Sequence, residues 1–261
     1  MFTKDQLKSQ LQQMGLRSSD TVLIHTSYKA VGDVEGGIDA FLNAFCEYLS
    51  DGLFIVPTHT WADVTAAKPI YDVNRSLPCI GAVPCVAAFR KDGVRSLHPT
   101  HSVWAHGNAA AAFVRGEENA GSPAPVGFVW DRLADCGAKI LLIGVTHNRN
   151  TFIHSVDERA ALPDRLSPEP WPVTIIDADG NRLQRTMRNH RCSRTDDVSR
   201  FYVNFDKPLT ETGAQTFGKL GNADVRIVDA AACRELVLRV YSRAKEDIFT
   251  DFREFPPELY R

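Results

Sequence analysis

The run Lys139-Ile-Leu-Leu-Ile-Gly-Val145 constrains this chain more than any other stretch. Both of its alternating sets are apolar, so as a strand it has no face fit for water, and it belongs inside a sheet covered on both sides. Thr21-Val-Leu-Ile-His25 and Leu53-Phe-Ile-Val-Pro57 repeat the pattern, and each runs into a polar loop. Between those two, a glycine-bearing loop from Thr26 to Gly37 feeds a helix through about Leu49. Strand, helix and strand in that order predict parallel βαβ pairing, with function at the carboxyl ends of the strands.

The remaining segments fill in around that core. Thr3 and Gln6 form a T-x-x-Q capping box ahead of Leu7, Leu11 and Met14 at helical spacing, and Gly15 closes that helix. Residues 62–80 read as irregular, Ile80 to Lys91 as a helix, Val103 to His106 as a strand and Asn108 to Val114 as an alanine-rich helix. Ser122-Pro123 reads as a helix start. Asp179-Gly180 marks a hairpin after Pro172, Phe217 to Asp229 holds two short strands, and Ala230 to Asp247 is a terminal amphipathic helix. No internal repeat or flexible linker interrupts the order. The expected fold is therefore α/β: a mixed sheet with a parallel βαβ core, an antiparallel C-terminal portion and helices on both faces, in a single domain over 1–261. The tail after Ile248 carries Phe249, Phe252, Phe255 and Tyr260, which fold over this chain or a neighbour's and allow a homodimer.

Thirty Lys+Arg against 32 Asp+Glu leave a charge of −2, which argues against nucleic acid as a partner. The exception is the basic series Arg182, Arg185, Arg188, Arg191 and Arg194, read as the solvated face of a hairpin. No apolar run is long enough for a membrane, the N-terminus lacks the apolar core of a signal peptide, and the six cysteines form no CxxC pair. A cytoplasmic, reduced protein is the expectation.

Gly144-Val-Thr-His-Asn-Arg-Asn-Thr-Phe-Ile-His-Ser-Val-Asp-Glu158 is the segment richest in chemistry. Asn150 is placed as the N-cap of a helix carrying His154, and Asp157 and Glu158 follow at three and four residues, where either can share its face. A carboxylate beside an imidazole fixes its orientation and tautomer, as a general base requires; a surface histidine among ordinary helix acids is the equally simple reading. The loop Arg95-Ser-Leu-His-Pro-Thr-His-Ser102 groups basic, hydroxyl and imidazole side chains suited to an anionic ligand, or makes a plain proline turn. His25-Thr26-Ser27 offers donors at a strand end. His190-Arg-Cys192 is too short a pattern to claim a metal, although with His147, His154 and a carboxylate a zinc site is chemically reasonable. Trp61 and Trp104 are candidates for a pocket wall or the core. Glu117-Glu118 reads as a solvated helix end.

Taken in order, these motifs resemble the aminoglycoside N3-acetyltransferase family of antibiotic-modifying enzymes. The resemblance runs from about Val22 to Ala232. It is carried by His25-Thr-Ser-Tyr through Val34-Glu-Gly-Gly37, by Gly52 through Thr58, and by Gly93-Val-Arg-Ser-Leu-His-Pro-Thr-His-Ser-Val-Trp-Ala-His-Gly107. Leu142-Ile-Gly-Val145, Asn150-Thr-Phe-Ile-His-Ser-Val-Asp157 and Gly218-Lys-Leu-Gly-Asn-Ala223 complete it. It implies acetyl-coenzyme A as donor and a small-molecule amine as acceptor. His154 matches the family's catalytic histidine and Asp157 its acidic partner, while Thr26-Ser27, Arg95-Ser96 and His101-Ser102-Val103 match loops facing the coenzyme. His190 stands where the family places a further carboxylate. The expected mechanism is direct attack by the amine while His154 takes its proton, steadied by Asp157 or Glu158, with oxyanion donors near Thr26-Ser27 or Ser102. Two other functions compete: a metal-dependent hydrolase built on His147, His154 and His190, and a noncatalytic coenzyme-A-binding module.

Overall fold

The computed structural model describes residues 1–244 and 251–261. Among them the strands are β1 (Thr21–Thr26), β2 (Leu53–Pro57), β3 (Ile70–Asp72), β4 (Val94–Arg95), β5 (Val103–His106), β6 (Lys139–Ile143), β7 (Trp171–Ile176), β8 (Arg182–Met187), β9 (Gln215–Leu220) and β10 (Ala223–Asp229). The main sheet has the order β4-β5-β2-β1-β6-β10-β9, with β1 paired in parallel to both β2 and β6. Antiparallel pairs close both ends, β5 and β4 on one side and β10 and β9 on the other. The expected mixed α/β sheet with a parallel core is therefore present. A second sheet, β3-β7-β8, carries the hairpin.

The helices are α1 (Lys4–Gln13), α2 (Tyr28–Val31), α3 (Gly37–Tyr48), α4 (Ala82–Ala87), α5 (Ala110–Phe113), α6 (Val129–Asp135), α7 (Phe152–Arg159), α8 (Asp206–Glu211) and α9 (Ala230–Arg243). Strand alternation splits the apolar side chains between two cores. Val22 and Ile24 of β1 and Leu141 and Ile143 of β6 pack with α1 and α3, while Leu23, Ile140 and Leu142 pack with α6, α7 and α9. Helices therefore cover both faces. By that alternation His25, two residues after Leu23, faces the second layer and stacks on Trp130, with ring centroids 6.1 Å apart.

Several local expectations are corrected. The helix expected over Ile80 to Lys91 shortens to α4, and that over Asn108 to Val114 to α5. Ser122-Pro123 starts no helix, because Pro125 and Gly127 (φ +84°) keep breaking the chain until α6. Glu117 is not a solvated helix end. It is buried, accepts the Val129 N–H of α6 at 2.8 Å, and burial pushes its carboxyl up to about 7. The supposedly irregular 62–80 stretch contains β3, which pairs in parallel with β7 far along the chain. The terminal helix ends at Arg243; Asp247 and Phe249 lie outside the described residues. Phe255 and Tyr260 fold back onto this chain's own core, and Phe252 stays exposed.

Candidate active site

β1 and β2 point their carboxyl ends into a cavity of about 810 Å³, lined by Thr26, Ser27 and Pro57 and continued by Val145 beyond β6. That is where a parallel α/β core is expected to bind its ligand. Gly144 makes the β6 end possible. It has φ +64°, and a Cβ there would meet the Ala30 Cβ at 2.4 Å, so only glycine lets the chain turn off the sheet toward the cavity.

α7 brings His154 to that cavity. Asn150 does not cap the helix. It is buried, its amide 3.3 Å from His147 Nδ1, and Thr151 precedes the first helical residue. His154 Nδ1 lies 3.8 Å from the nearer Asp157 oxygen, too far for a hydrogen bond. The Tyr202 hydroxyl fills the gap, 2.6 Å from His154 Nδ1 and 2.5 Å from Asp157 Oδ2. Tyr241 donates to the other Asp157 oxygen at 2.5 Å. A phenol has one proton, and Tyr202 gives it to Asp157, so its oxygen must accept the proton on His154 Nδ1. Nε2 is then the unprotonated nitrogen, and among the described residues it makes no hydrogen bond. Burial beside the Asp157 charge holds both phenols well above their ordinary range, so neither gives its proton up at neutral pH.

Histidines form much of the wall. His190 stacks on His154 with ring centroids 3.9 Å apart, His101 meets His190 edge-on at 5.2 Å, and His59 lies 4.6 Å from His101. Burial pushes His25 down to about 3 and His98 down to about 4. It holds His59, His101 and His190 well below the usual imidazole range, and neighbouring imidazoles add to the effect. These five rings are neutral at physiological pH. Buried and without partners in the wall are His25 Nε2, His59 Nε2, His190 Nε2, Thr26 Oγ1 and Asn150 Oδ1.

The sequence profile described as aminoglycoside 3-N-acetyltransferase matches residues 23–242. The chain belongs to that family. It is accordingly an acyltransferase. Over 258 residues it is 27% identical to aminoglycoside N(3)-acetyltransferase VIII of Streptomyces fradiae, covering 88% of both chains. It is 24% identical over 256 residues to the prophage-derived aminoglycoside N(3')-acetyltransferase-like protein YokD of Bacillus subtilis, covering 89% of this chain and 86% of that one. Among solved structures, aminoglycoside acetyltransferase AAC(3)-Xa superposes with a TM-score of 0.79 at 26% identity, covering 91% of this chain and 92% of that one. The AAC-IIIb binary complex with CoASH shares the fold, with a TM-score of 0.80 at 18% identity, covering 94% and 99%.

In this member of the N3-acetyltransferase family the expected site residues divide. His154, His190, Thr26, Ser27 and His101 line the cavity, and Asp157 stands behind His154. Glu158 is turned away. Its carboxylate accepts the Ser122 hydroxyl and the Ala124 N–H (2.7 Å), so it anchors the 122–124 loop and leaves the imidazole alone. Arg95, Ser96, Ser102 and Val103 do not reach the cavity either. Ser96 and Val103 exchange hydrogen bonds across their loop, and Ser102 gives its hydroxyl to the Thr58 carbonyl at 2.7 Å. Arg95 is buried, donating to the carbonyls of Val73 (3.1 Å), Ser76 (2.8 Å) and Thr58 (3.3 Å), with Tyr71 and Phe89 stacked on its guanidinium. It staples the chain, with its donors turned to carbonyls inside the fold. Arg95→Met is accordingly expected to cost about 3 kcal/mol of stability, the cost of removing a charged donor and leaving its buried carbonyl acceptors unpaired. Coenzyme affinity should be unchanged in the protein that still folds. Urea unfolding and isothermal calorimetry read the two effects separately.

The metal reading loses its donor set. His147 is wholly buried and gives its Nε2 to Gln215 Oε1 at 2.7 Å, so it does not converge with His154 and His190. Among the described residues the one group of three donors within 4.8 Å is Cys46, Asp92 and His106, away from the cavity. Of the arginine series only Arg191 lines the cavity; Arg185 and Arg188 are tied to Asn119 and to the carbonyls of Ser167 and Pro168. Trp61 joins the cavity wall, and Trp104 is core. Tyr202 and Tyr241 were not legible as site residues, since the first meets His154 from 48 residues along the chain.

Proposed function

We propose that the chain, acting as one unit over 1–261, transfers the acetyl group of acetyl-coenzyme A to an amine of an aminoglycoside or aminoglycoside-like acceptor. The observation that carries this reading is the His154 ring, tied at Nδ1 through Tyr202 to Asp157 and open at Nε2 in a cavity wall. His154 Nε2 takes the proton that the acceptor nitrogen loses as it bonds to the thioester carbonyl carbon, and returns it to the sulfur as the carbon–sulfur bond breaks. The Asp157 charge, relayed by Tyr202, stabilises the imidazolium between those two transfers. This reading assigns Thr26 Oγ1, buried and unpartnered, as the donor to the carbonyl oxygen as charge builds there. Ser27 spends its own N–H on the Ile143 carbonyl, which leaves the hydroxyl of Thr26 as the better donor. Arg149 and Arg191 supply positive charge in the same wall for the phosphates of the coenzyme.

Thiol release from acetyl-coenzyme A in the presence of aminoglycosides and small amines tests the reading. Coenzyme binding without turnover on any amine would instead favour the noncatalytic module. Tyr202 is a positioning residue, and Tyr202→Phe isolates its part. The expected result is a fall in kcat of about 10–100-fold, the worth of one hydrogen bond to a group that becomes charged, with KM for both substrates held. A melting temperature close to the parent's and a shifted pH profile of kcat separate this from a packing defect, which would leave that profile in place.

A further inference from the structure

Resting on that reading and choosing between the two acceptors it names, we propose that an aminoglycoside-like amine with one or at most two ammonium groups, recognised through its hydroxyls, is preferred over a polycationic aminoglycoside. Among the described residues the cavity wall holds two carboxylates, Asp196 and Asp197, against two guanidiniums, Arg149 and Arg191. Asp197 already receives the Ser199 N–H at 2.9 Å and the Ser199 hydroxyl at 2.5 Å. Even with both arginines engaged by phosphates, two anionic groups are left to face the acceptor. A polycation entering the cavity would leave most of its ammonium groups desolvated and unmatched, which is costly. The rest of the polar wall is neutral. Imidazoles of His25, His59, His101 and His190 line it, and Asn148, Asn150 and Asn189 stand among them. The unpartnered His25 Nε2 and His59 Nε2 sit on residues more than nine-tenths buried, suited to meet a hydroxyl or an amide. Trp61, half exposed on the same wall, offers its ring to the apolar face of a sugar.

The test compares kcat/KM for thiol release with glucosamine (one amine), 2-deoxystreptamine (two amines) and sisomicin (a polycation). Asn148→Asp and Asn189→Asp are then made together. Both substitutions keep an acceptor oxygen for the present donors, the Thr146 hydroxyl to Asn148 Oδ1 at 2.8 Å and Trp171 Nε1 to Asn189 Oδ1 at 3.1 Å. The parent enzyme is expected to favour an acceptor with one or two amines over sisomicin by about tenfold or more, one unmatched charge at partial burial. The double variant should raise the ratio of kcat/KM for sisomicin to that for glucosamine by about fivefold, as added charge complementarity does. Sisomicin turning over as well as the smaller amines in the parent overturns the proposal while leaving acetyl transfer intact. Thiol release with none of the three, under conditions where coenzyme binds, overturns acetyl transfer itself and the proposal with it.

Discussion

His154→Ala is expected to lower kcat/KM for acetyl transfer by about 10²–10⁴-fold, the span usually attributed to one positioned proton acceptor. The fall should lie mainly in kcat, because the ring works on a proton that moves only as the new bond forms. Coenzyme affinity is the internal control. Among the described residues the His154 side chain makes one hydrogen bond, to the Tyr202 hydroxyl, and its ring stacks on His190, so its loss unties no loop. The alanine variant should therefore fold and still bind the coenzyme within a few-fold, read by calorimetry. Near-normal turnover in that variant would remove Nε2 as the base and direct attention to His190, the next imidazole in the wall. Asp157→Asn should mimic a large part of the loss, since it removes the charge that steadies the imidazolium and leaves one acceptor oxygen where two now receive the tyrosine hydroxyls.

A second large effect concerns acid. His25, His98 and His147 sit at about 3, about 4 and about 4, all pushed down by burial, and His59, His101 and His190 lie well below the ordinary value of 6.5. In the unfolded chain each returns to about 6.5, so between that pH and the folded values unfolding takes up protons and stability falls as the solution is acidified. A drop from 6.5 to about 4 corresponds to about 3 kcal/mol per imidazole at the acid end of the window, against a total stability of about 5–15 kcal/mol. Two carboxyls pull the other way: Glu117, pushed up to about 7, and Glu158, also raised by burial, favour the folded state as pH falls. Two groups cannot offset six. Cooperative unfolding is expected between about pH 6 and pH 4, with net proton uptake above two per molecule by the pH dependence of the urea midpoint. A free energy of unfolding that stays flat from pH 7.5 to pH 5 would contradict the neutral histidine wall. His98, buried outside that wall, shows why such a ring stays neutral: its Nδ1 accepts the N–H of Thr100 (3.2 Å) and of His101 (2.9 Å), while Nε2 faces the Ser122 carbonyl at 3.0 Å. A second proton would place a donor against two donors.

Much of the scaffold was legible because it obeys local rules. β2 and β5 run where apolar alternation and flanking turns put them, the Thr3–Gln6 capping box forms, and Gly15 takes its left-handed place at φ +80°. Spacing also singled out His154, three residues ahead of an acid on one helix. Spacing could not say which acid turns toward it. On a helix Asp157 and Glu158 are both in reach, and the choice falls to what surrounds them: Ser122 and Ala124 claim Glu158 from one side, while Tyr202 and Tyr241 claim Asp157 from the other. The basic loop divides in the same way, with His101 in the cavity wall and Arg95 outside it. Arg95 has the chemistry of an anion binder, but its charge is spent on three carbonyls inside the fold.

What the sequence determined by itself was the parallel core, the end of its strands where the cavity opens, and the helix that brings His154 to it. Only the tertiary structure decided that a phenol would stand between base and acid and that buried imidazoles would line the cavity. Those features depend on desolvation and on contacts between distant segments, and neither leaves a trace in local pattern.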